Sequence, residues 1–308
     1  MDSKNIYLVS PRGFCAGVRR ALDIVEKVIS VCGCPVYVLH EIVHNDYVVN
    51  DLRSRGVIFI ENLGDAPCCS TVVFSAHGVS KTIEKQALER GLKCIDATCP
   101  LVKKIHNKAV RYENEGYELV LIGHRDHPEI KGTLGQLSKP ALVIENIRDL
   151  KKLNSVGAPG KIAYLTQTTF SISETEDIVK ALKKIYPDIE GAGDICYATQ
   201  NRQNAVKLLA KHCDTILIVG SPKSSNSCRM REIAVAEGVS AFLINSPSEL
   251  SSEILRNAKS IGISAGASAP ECLVQELVNF LKQKGWNTVS ELVFAEEKIS
   301  FSMPSIKP

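Results

Sequence analysis

No stretch of the 308 residues runs apolar for the roughly 18 positions that a membrane-spanning helix needs, which excludes such a helix. Charge of one sign is lacking too. The 37 basic and 34 acidic residues leave a net +3, too small and too dispersed to point to nucleic acid or a membrane surface as partner. Aromatic residues make up only 6% of the chain, with a single tryptophan, so a base-stacking platform is not expected either. Met1-Asp2-Ser3-Lys4-Asn5 leads straight into an apolar strand over 6–9 with no signal-peptide pattern, and a soluble cytoplasmic protein is expected. The bulk composition, 44% apolar and 23% charged, is ordinary for a globular chain. It supports a sizeable core and two or three domains of about 100–200 residues each.

Also missing is any Cys-x-x-Cys pair, which removes the local zinc and redox signatures. Yet cysteine itself is plentiful, with eleven in the chain. An odd count without an export signal argues against a disulfide framework. A metal, if bound, must draw its ligands from distant parts of the sequence.

Strand-like and helix-like runs alternate throughout, as in βαβ units of a parallel sheet. Strands are predicted over 37–39, 72–74, 119–122, 162–165, 215–219 and 260–264, and helices over 16–30, 101–115, 201–212 and 272–284. Three of the long helices follow a cysteine. Pro11-Arg12-Gly13-Phe14-Cys15-Ala16, Asp96-Ala97-Thr98-Cys99-Pro100 and Asp194-Ile195-Cys196-Tyr197-Ala198 place those cysteines 84 and 97 residues apart. The next strand in each copy ends at a polar cluster that holds His44, His127 or Ser224, at 29, 28 and 28 residues from its cysteine. A later strand ends at a second cluster: Ser75-Ala76-His77-Gly78, Thr166-Gln167-Thr168-Thr169 and Gly266-Ala267-Ser268-Ala269. A repeat of this kind is the signature of one structural unit used three times. The chain is therefore predicted to be an α/β protein of three pseudo-threefold-related, small parallel-sheet domains around a central cavity. The predicted boundaries are 1–97, 98–193 and 194–285, followed by a C-terminal tail, 286–308, that folds back as a strand over the cavity. Ligands of open parallel sheets bind beyond the carboxyl ends of the strands, where these clusters fall.

Three cysteines without a fourth suit a metal site with one open position, and soft sulfur ligands favour zinc or an iron–sulfur cluster. Cys15, Cys99 and Cys196 all sit at helix N-termini, where the helix dipole favours negative charge. The other eight cysteines have no counterpart across the copies and are expected to be inert, buried small residues. Ser224, Asn226 and Ser268, with His44 and His77, could hold two phosphoryl groups, because hydroxyls and amides placed before helices join free backbone N–H groups. Glu129 is the candidate proton donor, since burial would raise its pKa; Glu41 and Asp126 compete on spacing alone. A zinc hydrolase with Glu129 activating water and a non-catalytic redox sensor both remain compatible with these residues.

The motifs themselves resemble one family. Ser10-Pro11-Arg12-Gly13-Phe14-Cys15-Ala16-Gly17-Val18, Val43-His44-Asn45, Ser75-Ala76-His77-Gly78-Val79, Asp96-Ala97-Thr98-Cys99-Pro100 and His127-Pro128-Glu129 are similar to the 4-hydroxy-3-methylbut-2-enyl diphosphate reductases. So are Thr166-Gln167-Thr168-Thr169, Cys196-Tyr197-Ala198-Thr199, Asn201-Arg202-Gln203, Ser224-Ser225-Asn226-Ser227 and Gly266-Ala267-Ser268-Ala269-Pro270, in order from about residue 6 to 284. Two departures, Pro222-Lys223 and Arg125-Asp126, stand where more polar or smaller residues are usual, and both would alter local charge. The resemblance implies a trefoil of α/β domains around a [4Fe–4S] cluster ligated by Cys15, Cys99 and Cys196. It implies reductive removal of the substrate hydroxyl, which gives isopentenyl and dimethylallyl diphosphate at the end of the methylerythritol phosphate route. It assigns the diphosphate to His44, His77, His127, Ser224, Ser225, Asn226 and Ser268, and proton delivery to Glu129 with Thr168. A ferredoxin or flavodoxin is implied as electron donor.

Overall fold

The structure is a computed structural model and describes residues 4–155, 160–191 and 193–306. The reading of Met1-Asp2-Ser3 and the last two residues of the tail lie outside the described residues. In chain order come β1 (Asn5–Ser10), α1 (Ala16–Cys32), β2 (Val36–Leu39), α2 (Asp46–Ser54), β3 (Val57–Ile60), β4 (Thr71–Phe74), α3 (Lys81–Glu89) and β5 (Lys93–Asp96). The second run is α4 (Pro100–Asn114), β6 (Glu118–Ile122), α5 (Pro128–Leu134), β7 (Leu142–Ile144), β8 (Ile162–Thr166), α6 (Ile172–Ile185) and β9 (Glu190–Gly191). The third is α7 (Tyr197–Ala210), β10 (Thr215–Val219), α8 (Ser225–Ala236), β11 (Ser240–Ile244), α9 (Ser252–Asn257), β12 (Ser260–Ala265), α10 (Glu271–Gln283) and β13 (Thr288–Val293).

The chain forms two compact units: Met1–Val18 with His44–Asn50 and Tyr197–Ile299, and Arg19–Val43 with Asp51–Cys196 and Ser300–Pro308. The first holds one parallel sheet, ordered β11-β10-β12-β1-β13. Its interior strand β10 is buried along its whole length, as expected where helices cover both faces. Alternate residues part company: Leu217 and Val219 join the core under α10, while Ile216 and Ile218 join the core under α7 and α8. The second unit holds two parallel sheets, β3-β2-β4-β5 and β7-β6-β8-β9. In the latter, Val120, Ile122 and Tyr164 pack with Ile178 and Leu182 of α6. Leu119, Leu121 and Leu165 pack on the other face, with Ile105, Ala109 and Tyr112 of α4.

All three sheets share one order. The first two strands after each cysteine helix lie side by side, the third pairs with the first, and the fourth leads into the next cysteine. For the third sheet that fourth strand is β1, which pairs with β12 through Ile6 opposite Ile261 and Leu8 opposite Ile263. Sheet membership therefore does not follow the 1–97 boundary: the N-terminal strand completes the third copy, because its apolar residues Ile6 and Leu8 belong to the core beneath α10. The tail does form a strand, and β13 takes the sheet edge beside β1 from Asn5 to Ser10, anchored by the fully buried Trp286. The neighbouring strands β2 and β4, β6 and β8, and β10 and β12 send their connections to opposite sides, so both polar clusters of each copy lie at a topological switch point.

Candidate active site

Each cysteine is held by the same backbone device. In the second unit the Gly78 N–H closes a turn on the Ser75 carbonyl at 3.2 Å, and the Cys99 N–H donates to the next carbonyl, Ala76, at 3.0 Å. Likewise Phe170 closes a turn on Gln167 at 3.2 Å, and the Cys196 N–H donates to Thr168 at 3.1 Å. In the first unit Ala269 closes a turn on Gly266 at 3.0 Å, and the Cys15 N–H donates to Ala267 at 3.2 Å. His77, Thr169 and Ser268 are thus equivalent, and Thr168 lies one residue earlier, on the peptide that anchors Cys196. The three cysteines are half-buried, and no disulfide is formed by any of the eleven. Among the described residues no group of three or more His, Cys, Asp or Glu side chains stands ready to hold a metal ion. The expectation that the other eight are buried holds only for Cys213, whose thiol burial pushes up to about 12. Cys34, Cys68, Cys69, Cys94 and Cys272 are exposed, because they fall on loops, an edge strand and an outer helix face.

The Cys15 loop carries further supports that sequence reasoning missed. Arg202 of α7 is fully buried, and its guanidinium donates to the Gly13 carbonyl at 2.7 and 3.1 Å. The same side chain pairs with Glu297 at 3.0 Å. Gly13 has φ +68°, and a Cβ there would stand 3.1 Å from the Ala269 carbonyl oxygen, so only glycine fits this turn. Arg202 lies inside a quoted motif, but nothing in its spacing shows that it reaches Gly13.

The first unit also gathers Ser224, Asn226, Ser268 and His44. Ser224 caps α8, accepting the Ser227 N–H at 3.4 Å, and Ser225 opens the helix. Ser268 donates to the His44 carbonyl at 3.1 Å. Asn226 is buried, donates to the Met230 sulfur at 3.4 Å, and leaves its Oδ1 without a partner among the described residues. Glycine at 220 and 266 is required by packing, since a Cβ at either would overlap Ser227 Oγ. His44 does not cap its helix; Asn45 does, accepting the Val48 N–H at 3.1 Å. The Lys223 departure faces outward, its ammonium 2.8 Å from Asp46.

The second unit gathers His77, His127, Glu129 and Thr168. His127 caps α5, its Nδ1 accepting the Glu129 N–H at 3.2 Å, so the proton of the neutral ring sits on Nε2. His77 meets that ring edge-on, with centroids 5.7 Å apart. Glu129 is 2% exposed. Its two oxygens accept the Thr168 N–H at 2.7 Å and the Thr168 hydroxyl at 2.8 Å. Burial pushes the carboxyl from 4.5 to about 7, against the opposing pull of those two bonds. Asp126, a competitor by spacing, is 96% exposed and pairs with Lys131; burial therefore singles out Glu129 over it. Behind this group His106 of α4 is buried with Nε2 unpartnered among the described residues, and burial, then Lys103, lowers its pKa to about 4. Its ring lies over Gly78, where a Cβ would come within 2.6 Å of Cε1.

The model of the LytB protein family matches residues 6–282. The chain belongs to the LytB family. The 4-hydroxy-3-methylbut-2-enyl diphosphate reductase of Methylococcus capsulatus is 53% identical over 304 residues, 97% of this chain and 97% of that protein. The enzyme of the same name from Neisseria gonorrhoeae is 48% identical, with 99% of this chain and 95% of that protein covered. Among solved structures, the E-1-hydroxy-2-methyl-but-2-enyl-4-diphosphate reductase of Plasmodium falciparum superposes with a TM-score of 0.94 at 39% identity, covering 98% of this chain and 96% of that one. The resemblance read from the motifs is borne out, and so is the α/β class with its small parallel sheets. LytB membership implies a metal cofactor. No helix among the described residues is long and apolar enough to cross a membrane.

Proposed function

We propose that the chain reduces 4-hydroxy-3-methylbut-2-enyl diphosphate, expelling its hydroxyl to give isopentenyl and dimethylallyl diphosphate as the last step of the non-mevalonate route. The observation that carries this reading to particular residues is the buried Glu129–Thr168 pair with its near-neutral carboxyl. Cys15, Cys99 and Cys196 would hold a [4Fe–4S] cluster; their donor chemistry suits it, and their shared backbone anchor marks them off from the other eight cysteines. When bound, that group supplies single electrons and an open Lewis-acidic iron.

The protein's own residues handle the anion and the protons. Release of the hydroxyl as water consumes two electrons and two protons, and hydroxide leaves poorly unless it is protonated. Glu129 keeps its proton into the neutral range where an ordinary carboxyl has lost it. Thr168 Oγ1 donates to the ionised carboxylate and can accept from the protonated one, so the pair passes a proton without either side chain moving far. Ser224, Ser225, Asn226, Ser268 and His44, with His77 and His127, receive the diphosphate, helped by the helix dipole at the start of α8, which favours an anion. The unpartnered Asn226 Oδ1 fits this role, because turning the amide presents an N–H donor at that buried spot. A ferredoxin or flavodoxin delivers the electrons, in the cytoplasm. The test is anaerobic purification with iron and acid-labile sulfide assays, beside Cys15→Ser, Cys99→Ser and Cys196→Ser. Metal and sulfide lost in each variant, with product formed only by the parent, is the expected result; a cluster indifferent to these cysteines would overturn it.

A further inference from the structure

The second unit carries a cation-lined groove that the chemistry above does not use. It encloses about 650 Å³ and is lined by Arg20 of α1 and by Lys103, Lys104, Lys108 and Arg111 of α4. Among the described residues Asp96 is the single carboxylate in its wall, and it is paired with Lys103. Lys108 is paired with Asp194, and Arg111 with Glu115 at 3.6 Å. Arg20 is held in place by the Thr98 and Ser302 carbonyls at 3.0 and 2.8 Å and, like Lys104, meets no carboxylate among the described residues. The groove therefore keeps an excess of positive charge. Its wall also includes Thr98 and Pro100, the two residues that flank Cys99.

We infer that this groove is the docking face for the acidic surface of the electron-donor protein, which seats against Arg20, Lys104 and Arg111 beside Cys99. The inference rests on the proposed role of Cys99 as a cluster ligand. A helix rises about 1.5 Å per residue, so Lys103 and Lys104 stand about 6–8 Å along α4 from Cys99, and Arg111 about 18 Å. The cations thus spread over about 12 Å of helix, a span that suits a protein face better than one diphosphate, and a positive groove steers an acidic partner toward it. Each docking moves one electron, oxidising the donor and reducing the acceptor by one. Two dockings and two protons complete one turnover.

The test uses anaerobically purified, iron-loaded protein and a strongly acidic ferredoxin. Binding is measured by calorimetry at low and high salt for the parent, Lys104→Glu, and Lys104→Glu with Arg111→Glu. The expected result is a Kd raised about tenfold or more in the double variant, a shallower salt dependence, unchanged iron content, and unchanged turnover with reduced methyl viologen, a small cationic reductant. Unchanged ferredoxin affinity in both variants would refute the docking face. So would inorganic pyrophosphate binding that the variants abolish while ferredoxin affinity stays intact, since the groove would then be a free-anion site. Parent protein with neither iron nor viologen-driven turnover would instead overturn the cluster assignment, and this inference with it.

Discussion

Replacing Glu129 with glutamine should separate stability from activity, in a direction fixed by the sign of the pKa shift. The buried carboxyl titrates at about 7 rather than 4.5. Below pH 4.5 both folded and unfolded chains hold the proton, and burial of the neutral acid carries no ionic penalty. Between 4.5 and 7 only the folded chain holds it, so stability falls as pH rises, and above 7 the full penalty applies. At about 1.4 kcal/mol per pH unit the penalty is about 3 kcal/mol, or about 5 °C in Tm for a chain of this length. His106 acts in the opposite sense, because its pKa is lowered from 6.5 to about 4. The stability it contributes is present above pH 6.5 and is lost as pH falls toward 4. The two slopes nearly cancel in the parent, so only differences between variants reveal either one. Glu129→Gln should therefore gain stability over the parent at pH 8 and lose that advantage by pH 4.5, while turnover drops about 10²- to 10⁴-fold, as for loss of a general acid. Thermal unfolding of parent, Glu129→Gln and His106→Leu across pH 4–8 reads this directly. Parallel curves for parent and Glu129→Gln would refute the burial argument, whatever happened to activity.

Other outcomes follow from single contacts. Arg202→Met takes the guanidinium from the Gly13 carbonyl and from Glu297, which keeps only the Asn201 amide among the described residues; it should cost about 3 kcal/mol and lower iron retention, read by unfolding and metal assay. Gly266→Ala drives a methyl into Ser227 Oγ and should displace the start of α8, raising KM for the diphosphate more than it changes kcat. Thr168→Val removes one of the bonds that hold the Glu129 pKa down, so the alkaline limb of the pH–rate profile, where the donor loses its proton, should shift to higher pH. Cys213→Ser should keep full iron and sulfide, because that thiol is buried against the Leu209 carbonyl and away from the repeated anchors.

The order of cysteine, first cluster and second cluster was legible because each feature is local: a strand end, a cap, a helix start. Where pairing is long-range, the sequence is mute. β1 reads as the opening of the first copy, yet its partners are β12 and β13, over 250 residues away, and no periodicity in 5–10 distinguishes those partners from β2. The short strands β5, β7 and β9 are only four, three and two residues long, too brief for an alternating pattern to declare itself. Within the site, the choice of Glu129 over Asp126 depends on burial, which spacing cannot show: the two lie three residues apart, one at 2% exposure and the other at 96%. Spacing does not say which residues of the second clusters correspond, since His77, Thr168 and Ser268 lie 62, 69 and 72 residues from their cysteines; the turns align Thr169, one residue after Thr168, with His77 and Ser268. That offset has a chemical meaning. Thr168 carries the carbonyl that anchors Cys196 and the two donors that hold Glu129. One residue thus ties the proposed proton donor to a proposed cluster ligand through its own peptide and side chain, and a shift at either end is felt at the other.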